Sequence, residues 1–163
     1  MGRVVSRDKL LELVAAERVA GRTVALANGC FDLLHVGHIR YLSGAAAVAD
    51  LLVVAVNIDD MVTVLKGPPQ PIQPSDERAE IVAALETVDY VVVFSTPTVA
   101  DLLEELKPDV HCKGTDYTVD TVPERDIVRR YGGRTVIVGD PKDHSTQDLL
   151  TRIAERLRDP TRS

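Results

Sequence analysis

Apolar residues follow two rhythms along this chain. Short unbroken runs at 23–27, 51–57, 90–94, 109–112 and 134–138 are rich in valine, alanine and leucine and have the length of strands. They lack polar alternation, which suits strands covered on both faces. Between them lie longer stretches with helical spacing. The first, 7–20, carries Leu10, Leu11, Leu13 and Val14 and stops at Gly21. The others are 39–49, 76–85 (opened by Ser75), 99–106, 122–131 (ended by Gly132 and Gly133) and 145–158. Residues 66–74 hold four of the nine prolines and read as a loop. The tail 159–163 is expected to fray. Strands separated by helices predict an α/β fold, with five mainly parallel strands, right-handed crossovers and helices on both faces of a doubly wound sheet. A length of 163 residues, 45% of them hydrophobic, suits one domain over 1–163 with its motif-bearing core at 23–153.

In such a sheet ligands bind beyond the carboxyl ends of the strands, where strand order reverses. The polar residues of interest fall there. Asn28, Gly29, Cys30, Phe31, His35 and His38 follow the first run, Asn57 and Asp59 the second, 113–117 the fourth and 140–146 the fifth. The segment 28–38 joins a strand to a helix, and a helix mouth offers free N–H groups and roughly +0.5 of a charge, a natural phosphate site. His35 and His38, three apart, lie near one face of the first turn. Two imidazoles beside free amides can grip a phosphate whose charge grows during reaction; the plain alternative is a pair of capping residues. A zinc reading lacks HExxH, CxxC and a third nearby histidine, so no metal ligands are assigned. Neither GxGxxG after the first strand nor GxxxxGK[ST] anywhere is present, which excludes two other nucleotide folds.

Net charge is −6 with no long basic run, which argues against a nucleic-acid partner but leaves room for local positive charge. Cys30 and Cys112 have no metal or redox spacing and read as free thiols in a reducing compartment. No apolar run resembles a signal peptide or a membrane span, so the expectation is a cytoplasmic protein with no membrane partner.

Single residues sharpen the picture. Lys66, ahead of the proline-rich loop, can close over phosphates as a point charge. Arg78 sits in the first turn of its helix, where a cation is disfavoured, so a local partner or ligand is expected; a surface pair with Asp76 or Glu77 is the alternative. Gly114, beside Lys113, lets backbone approach a planar base, and Asp116 can accept from a ribose or amino group. Ser145 and Thr146 open the last helix, where they either hold phosphate or simply cap. Asp32 orients a motif side chain or the turn itself. Asn57 and Asp59 face an acceptor substrate or form a strand-end turn.

The array NGCFDLLHVGH, VNID, LKG, DERAEIVAALETVDYVVVF, KPDVHCKGTDY and the late Ser-Thr loop spans nearly all of 23–153. It resembles the HxGH nucleotidyltransferase superfamily, the cytidylyltransferase-like α/β enzymes with a Rossmann-like sheet. Its LKGPxxPI, ALExVDYVV and KGxDY segments are most similar to the heptose 1-phosphate adenylyltransferases, which occur alone or as half of a bifunctional heptose kinase/ADP-heptose synthase. That resemblance implies AMP transfer from ATP to a sugar 1-phosphate, D-glycero-D-manno-heptose 1-phosphate, with Mg²⁺ on the nucleotide and a homodimer. It implies catalytic roles for His35, His38 and Lys66. Asn28, Gly29, Cys30, Phe31, Lys113, Gly114, Asp116, Ser145 and Thr146 would join the histidines on the nucleotide, and Asn57, Asp59, Lys66 and Arg78 would face the acceptor. Two other readings stand beside it: a cytidylyltransferase acting on glycerol 3-phosphate or a similar alcohol phosphate, and a non-catalytic nucleotide-binding protein of the same fold. The late loop departs from the family, with Asp143 where a glycine is usual, His144 at the next position and Gln147 in place of a threonine.

Overall fold

A computed structural model describes residues 1–141 and 143–158. Lys142, within the late loop, and the tail expected to fray lie outside the described residues. The chain runs β1 (Arg3–Val4), α1 (Arg7–Val19), β2 (Val24–Gly29), α2 (Val36–Ala46), β3 (Leu51–Asn57), α3 (Asp59–Lys66), α4 (Ser75–Ala83), β4 (Tyr90–Phe94), α5 (Ala100–Leu106), β5 (Val110–Lys113), a 3₁₀ turn (Val119–Thr121), α6 (Arg125–Arg130), β6 (Arg134–Ile137) and α7 (Thr146–Arg158).

The strands form one sheet in the order β1-β4-β3-β2-β5-β6, and every pairing is parallel. From β2 the chain first builds outward through β3 and β4, then returns to the other side of β2 for β5 and β6. The order therefore reverses between β2 and β5, and a crevice opens beyond their carboxyl ends.

Side-chain alternation divides the core into two layers. Ala25, Ala27, Leu52, Val54 and Val56 meet Leu42 and Ala45 of α2 and Ala79 and Val82 of α4. Val24, Leu26, Val53 and Ala55 meet Leu10 and Val14 of α1 and Leu102, Leu103 and Leu106 of α5. All seven residues of β3 are buried, which is why its sequence shows no polar alternation. Each fully buried leucine or valine contributes about 1.5–3 kcal/mol, so these layers dominate the stability of the sheet. The alanines of β2 also leave little side chain between the strand and α2, which brings the mouth of α2 close to the strand end.

The structure corrects the strand count. There are six strands, because Arg3–Val4 adds an edge to β4 through Arg3 N–H to Asp89 O (3.0 Å) and Val5 N–H to Val91 O (2.9 Å). Two residues carry no period, so no sequence pattern could reveal them. Residues 59–66, left without an element in the sequence, form α3. Its signals were nonetheless legible: Asp59 and Asp60 in the first turn, and Gly67 at φ 75° closing it. The 122–131 stretch shortens to α6. The motif helix begins at Val36, three residues earlier than its apolar spacing suggests. Among the described residues no helix is long and apolar enough to cross a membrane.

Candidate active site

The cleft beyond β2 and β5 has a volume of about 760 Å³, within the range of small-molecule sites. Asn28, Gly29, Cys30, Phe31, His35, His38, Asn57, Lys66, Lys113, Gly114, Asp116, Ser145 and Thr146 line it. Asp59 and Arg78 are not among its lining residues; they pair with each other at 2.6 Å.

The loop joining β2 to α2 is held under tension. Phe31 and Leu33 occupy the left-handed region at φ 51° and 47°, at a cost of about 1–2 kcal/mol each for residues with a Cβ. Several ties hold that shape. The Asp32 carboxylate is 2% exposed and accepts N–H bonds from Ile72 (2.8 Å) and Gln73 (3.0 Å). Leu33 N–H donates to Gln73 Oε1 at 3.1 Å, and Thr146 Oγ1 donates to Asp32 O at 2.7 Å. Asp32 thus orients the turn, and with it the proline-rich loop.

Arg78 is the second anchor. Its side chain is fully buried and donates to Gln73 O (2.9 Å), Asn57 O (2.8 Å), Asp59 Oδ1 (2.6 Å) and Cys30 O. One guanidinium therefore joins the β2 loop, the end of β3, α3 and the proline-rich loop. The partner anticipated for this first-turn cation is Asp59 together with three carbonyls, and neither Asp76 nor Glu77 takes part.

These anchors present the two histidines. His35 is the N-cap of α2 and His38 lies in its first turn. Their rings stack at 3.9 Å between centroids, and Phe31 packs against His38 at 5.4 Å. His35 N–H makes a long contact to His38 Nδ1 (3.4 Å), which leaves the His38 proton on Nε2. His35 Nδ1 is buried without a protein partner. Gly37 explains the spacing of the motif. A Cβ there would meet the His35 ring at 3.0 Å, so any side chain would push the imidazole aside.

Burial, then His35 and Lys66, push His38 down to about 4, and burial with His144 lowers His35. Both rings are neutral N–H donors at neutral pH, ready to gain charge as phosphate approaches. Lys66 ends α3 on the exposed rim of the cleft.

On the other side of β2, Asn28 Oδ1 accepts from His111 Nε2 (3.1 Å) and Lys113 Nζ (3.2 Å). An amide oxygen can only accept, so His111 carries its proton on Nε2. His111 is fully buried, and burial, then Lys113, lower its pKa to about 3. His111, Tyr41 (which lines the cleft and donates its hydroxyl to Cys112 O at 2.8 Å) and Glu124 were not anticipated from sequence, because a single polar residue in or near an apolar run carries no pattern.

Low pKa values at His38 and His111 predict a particular pH dependence. The unfolded chain, with ordinary histidines near 6.5, binds protons before the folded chain does. The stability linked to them is complete above about pH 6.5 and is lost as pH falls toward 4 and 3 respectively. Each pH unit in that window removes at most about 1.4 kcal/mol per histidine. His111→Gln keeps a donor for Asn28 and cannot titrate. It is expected to flatten the fall in Tm between about pH 7 and 5; a slope equal to wild type would contradict this.

The late loop closes the cleft. Ser145 Oγ donates to Asp148 Oδ2 (2.7 Å) and accepts from Asp148 N–H (3.1 Å), which caps α7. His144 Nδ1 pairs with the Asp143 carboxylate. Two of the three late-loop departures, Asp143 and His144, are therefore bonded to each other, and all three, Gln147 included, line the cleft. Among the described residues no group of three or more His, Cys, Asp or Glu is placed to hold a metal. A divalent ion would fit here as a passenger on phosphate oxygens.

The sequence model of the cytidylyltransferase-like family matches residues 26–158. The bifunctional protein HldE of Syntrophotalea carbinolica is 45% identical over 150 residues, which cover 92% of this chain and 31% of that protein. HldE of Alcanivorax borkumensis is 44% identical over 153 residues, covering 94% and 32%. The chain thus spans about a third of the length of these curated relatives. A crystal structure of the lipopolysaccharide core biosynthesis protein from Thermoplasma volcanium superposes with a TM-score of 0.64 at 27% identity, covering 75% of this chain and all of that one. The match takes in the strained β2 loop, both stacked histidines, the Asn28–Lys113 wall and the capped α7, and on it the chain belongs to the cytidylyltransferase-like family.

Proposed function

We propose that this chain is a nucleotidyltransferase that moves AMP from ATP to a sugar 1-phosphate, D-glycero-D-manno-heptose 1-phosphate, giving ADP-heptose and pyrophosphate. The observation that carries the chemistry is the neutral, stacked His35–His38 pair at the mouth of α2, inside a cleft at the strand-order reversal. Support for the substrates is the KGxDY and LKGPxxPI resemblance and the likeness to the HldE relatives.

The reaction is one in-line displacement. An acceptor phosphate oxygen attacks the α-phosphorus, and the bond from that phosphorus to its bridging oxygen breaks. Pyrophosphate leaves with the electron pair. The attacking oxygen is already ionised, so no strong base is required, and catalysis rests on positioning and charge stabilisation. His38 Nε2–H and the His35 ring, which lines the cleft, serve as contacts to phosphate oxygens. The amides near Cys30 and Phe31 support them. Lys66 covers the triphosphate from the rim, and Ser145 and Thr146 hold it from the opposite side after exchanging their present bonds to Asp148 and Asp32. Lys113, Gly114 and Asp116 form the nucleoside end. Mg²⁺, when bound on the phosphates, neutralises charge that these side chains do not reach.

At the acceptor end Asn57 and Lys66 line the cleft and are within reach of a ligand. Asp59 and Arg78 are proposed to shape that end. The unit is read as a single nucleotidyltransferase domain, a homodimer of the cytoplasm; sedimentation at equilibrium tests the stoichiometry, a monomer being the contrary result.

The decisive assay is pyrophosphate release with each nucleotide against a panel of sugar and polyol phosphates. Heptose 1-phosphate with ATP is expected to give the highest turnover. CTP turnover exceeding ATP by about tenfold, a difference of about 1.4 kcal/mol in barrier, would replace the adenylyl assignment with a cytidylyl one. No release with any pair would favour a binding protein.

A further inference from the structure

We infer that Glu124 selects the base of the bound nucleotide by accepting a hydrogen bond from its exocyclic amino group. This rests on the reading that the cleft binds a nucleoside triphosphate; it does not depend on whether that nucleotide is ATP or CTP.

Glu124 precedes α6 and lines the cleft beside Lys113, Gly114 and Tyr117. It is 6% exposed, yet its Oε2 is a buried oxygen with no hydrogen-bond partner. Lys113 Nζ forms a long ion pair with this oxygen at 4.0 Å, beyond hydrogen-bond reach, and gives its hydrogen bond to Asn28 Oδ1 at 3.2 Å. The Tyr117 ring lies over the same ammonium at 5.1 Å. The ion pair balances charge, and the carboxylate oxygen still lacks a hydrogen-bond donor.

A buried acceptor without a donor is costly and is rarely left so. Gly114 and Glu124 line the same cleft, and at Gly114 it has room for a planar guest. A Cβ built on Gly114 would meet only the Tyr41 ring, at 4.0 Å. A base that turns its exocyclic amino group to this oxygen supplies the missing donor. Adenine and cytosine carry one; hypoxanthine and uracil present a carbonyl oxygen in its place. Two acceptors face to face repel, and each loses its hydration without replacement. The discrimination therefore reads amino against oxo and leaves ring size to other contacts.

The test uses two matched pairs, ATP with ITP and CTP with UTP, measured as kcat/KM for pyrophosphate release and as direct nucleotide binding. Wild type is expected to favour the amino member of whichever pair it uses by at least about tenfold. Glu124→Gln can turn an amide N–H₂ toward a carbonyl, so it is expected to shrink that preference about tenfold, with the oxo nucleotide improving. A wild-type measurement with purine riboside triphosphate, which lacks the amino group, guards against a variant that fails to fold; it is expected to bind about as poorly as ITP.

A Glu124 that merely balances the charge on Lys113 would weaken all four nucleotides alike in Glu124→Gln, and that result overturns the inference while leaving the proposed activity intact. Wild type binding purine riboside triphosphate as well as ATP overturns it equally. Failure of wild type to bind any of the nucleotides overturns both the inference and the reading on which it rests.

Discussion

Replacing His38 with alanine is expected to lower turnover by roughly 10²–10³-fold, the loss seen when one donor to transition-state charge is removed. The Tm should move by only a few degrees. The ring contributes packing against Phe31 and His35, but burial of its ring also works against its charged form, as its low pKa of about 4 records. The rate effect is large because the imidazole is neutral before reaction and its N–H meets charge that grows only as the α-phosphorus is attacked. Binding of unreacted nucleotide should therefore change far less than kcat. Turnover within a fewfold of wild type in a folded variant would reduce His38 to a residue of the first helical turn.

Arg78→Ala is expected to destabilise the protein by about 3–5 kcal/mol, the usual cost of stripping one partner from a buried charged network. In a chain of this size that corresponds to a fall in Tm on the order of 10 °C. The guanidinium is fully buried and is the common donor to Gln73, Asn57, Asp59 and Cys30. Without it, three carbonyls and a carboxylate lose their donor together, and the left-handed turn at Phe31 loses an anchor. Arg78→Lys should recover only part of the loss, since one ammonium cannot span four acceptors in different directions. Thermal melts of the two variants separate this role from a direct contact with acceptor phosphate. Unchanged Tm with a raised acceptor KM would be the mark of the latter.

The same residue shows how far the sequence could be read. Its place in a first helical turn signalled that a partner was needed, but four acceptors from four segments converge only after folding. Asp32 behaves alike. Its position in GCFD suggested an orienting role, while its partners Ile72 and Gln73 lie forty and forty-one positions away. Glu124 and His111 left no trace at all, because their meaning is a buried atom with or without a partner, and burial is a property of the packed sheet.

What the sequence by itself determined is what local pattern encodes. Five of the strands, the helices between them other than α3, and the collection of His35, His38, Lys113 and Ser145 at the carboxyl ends follow from period, turn residues and strand order. Each of these depends on near neighbours in the chain. Tertiary structure alone decided the two-residue β1, whose pairing with β4 has no periodic signature. It decided that the Asn28 amide oxygen is shared by His111 and Lys113. It also decided which acidic residue in the cleft is left with an oxygen in need of a donor. The physical reason is the same throughout: hydrogen-bond satisfaction and desolvation are set by atoms brought together from distant positions, and only the closed sheet brings them within reach.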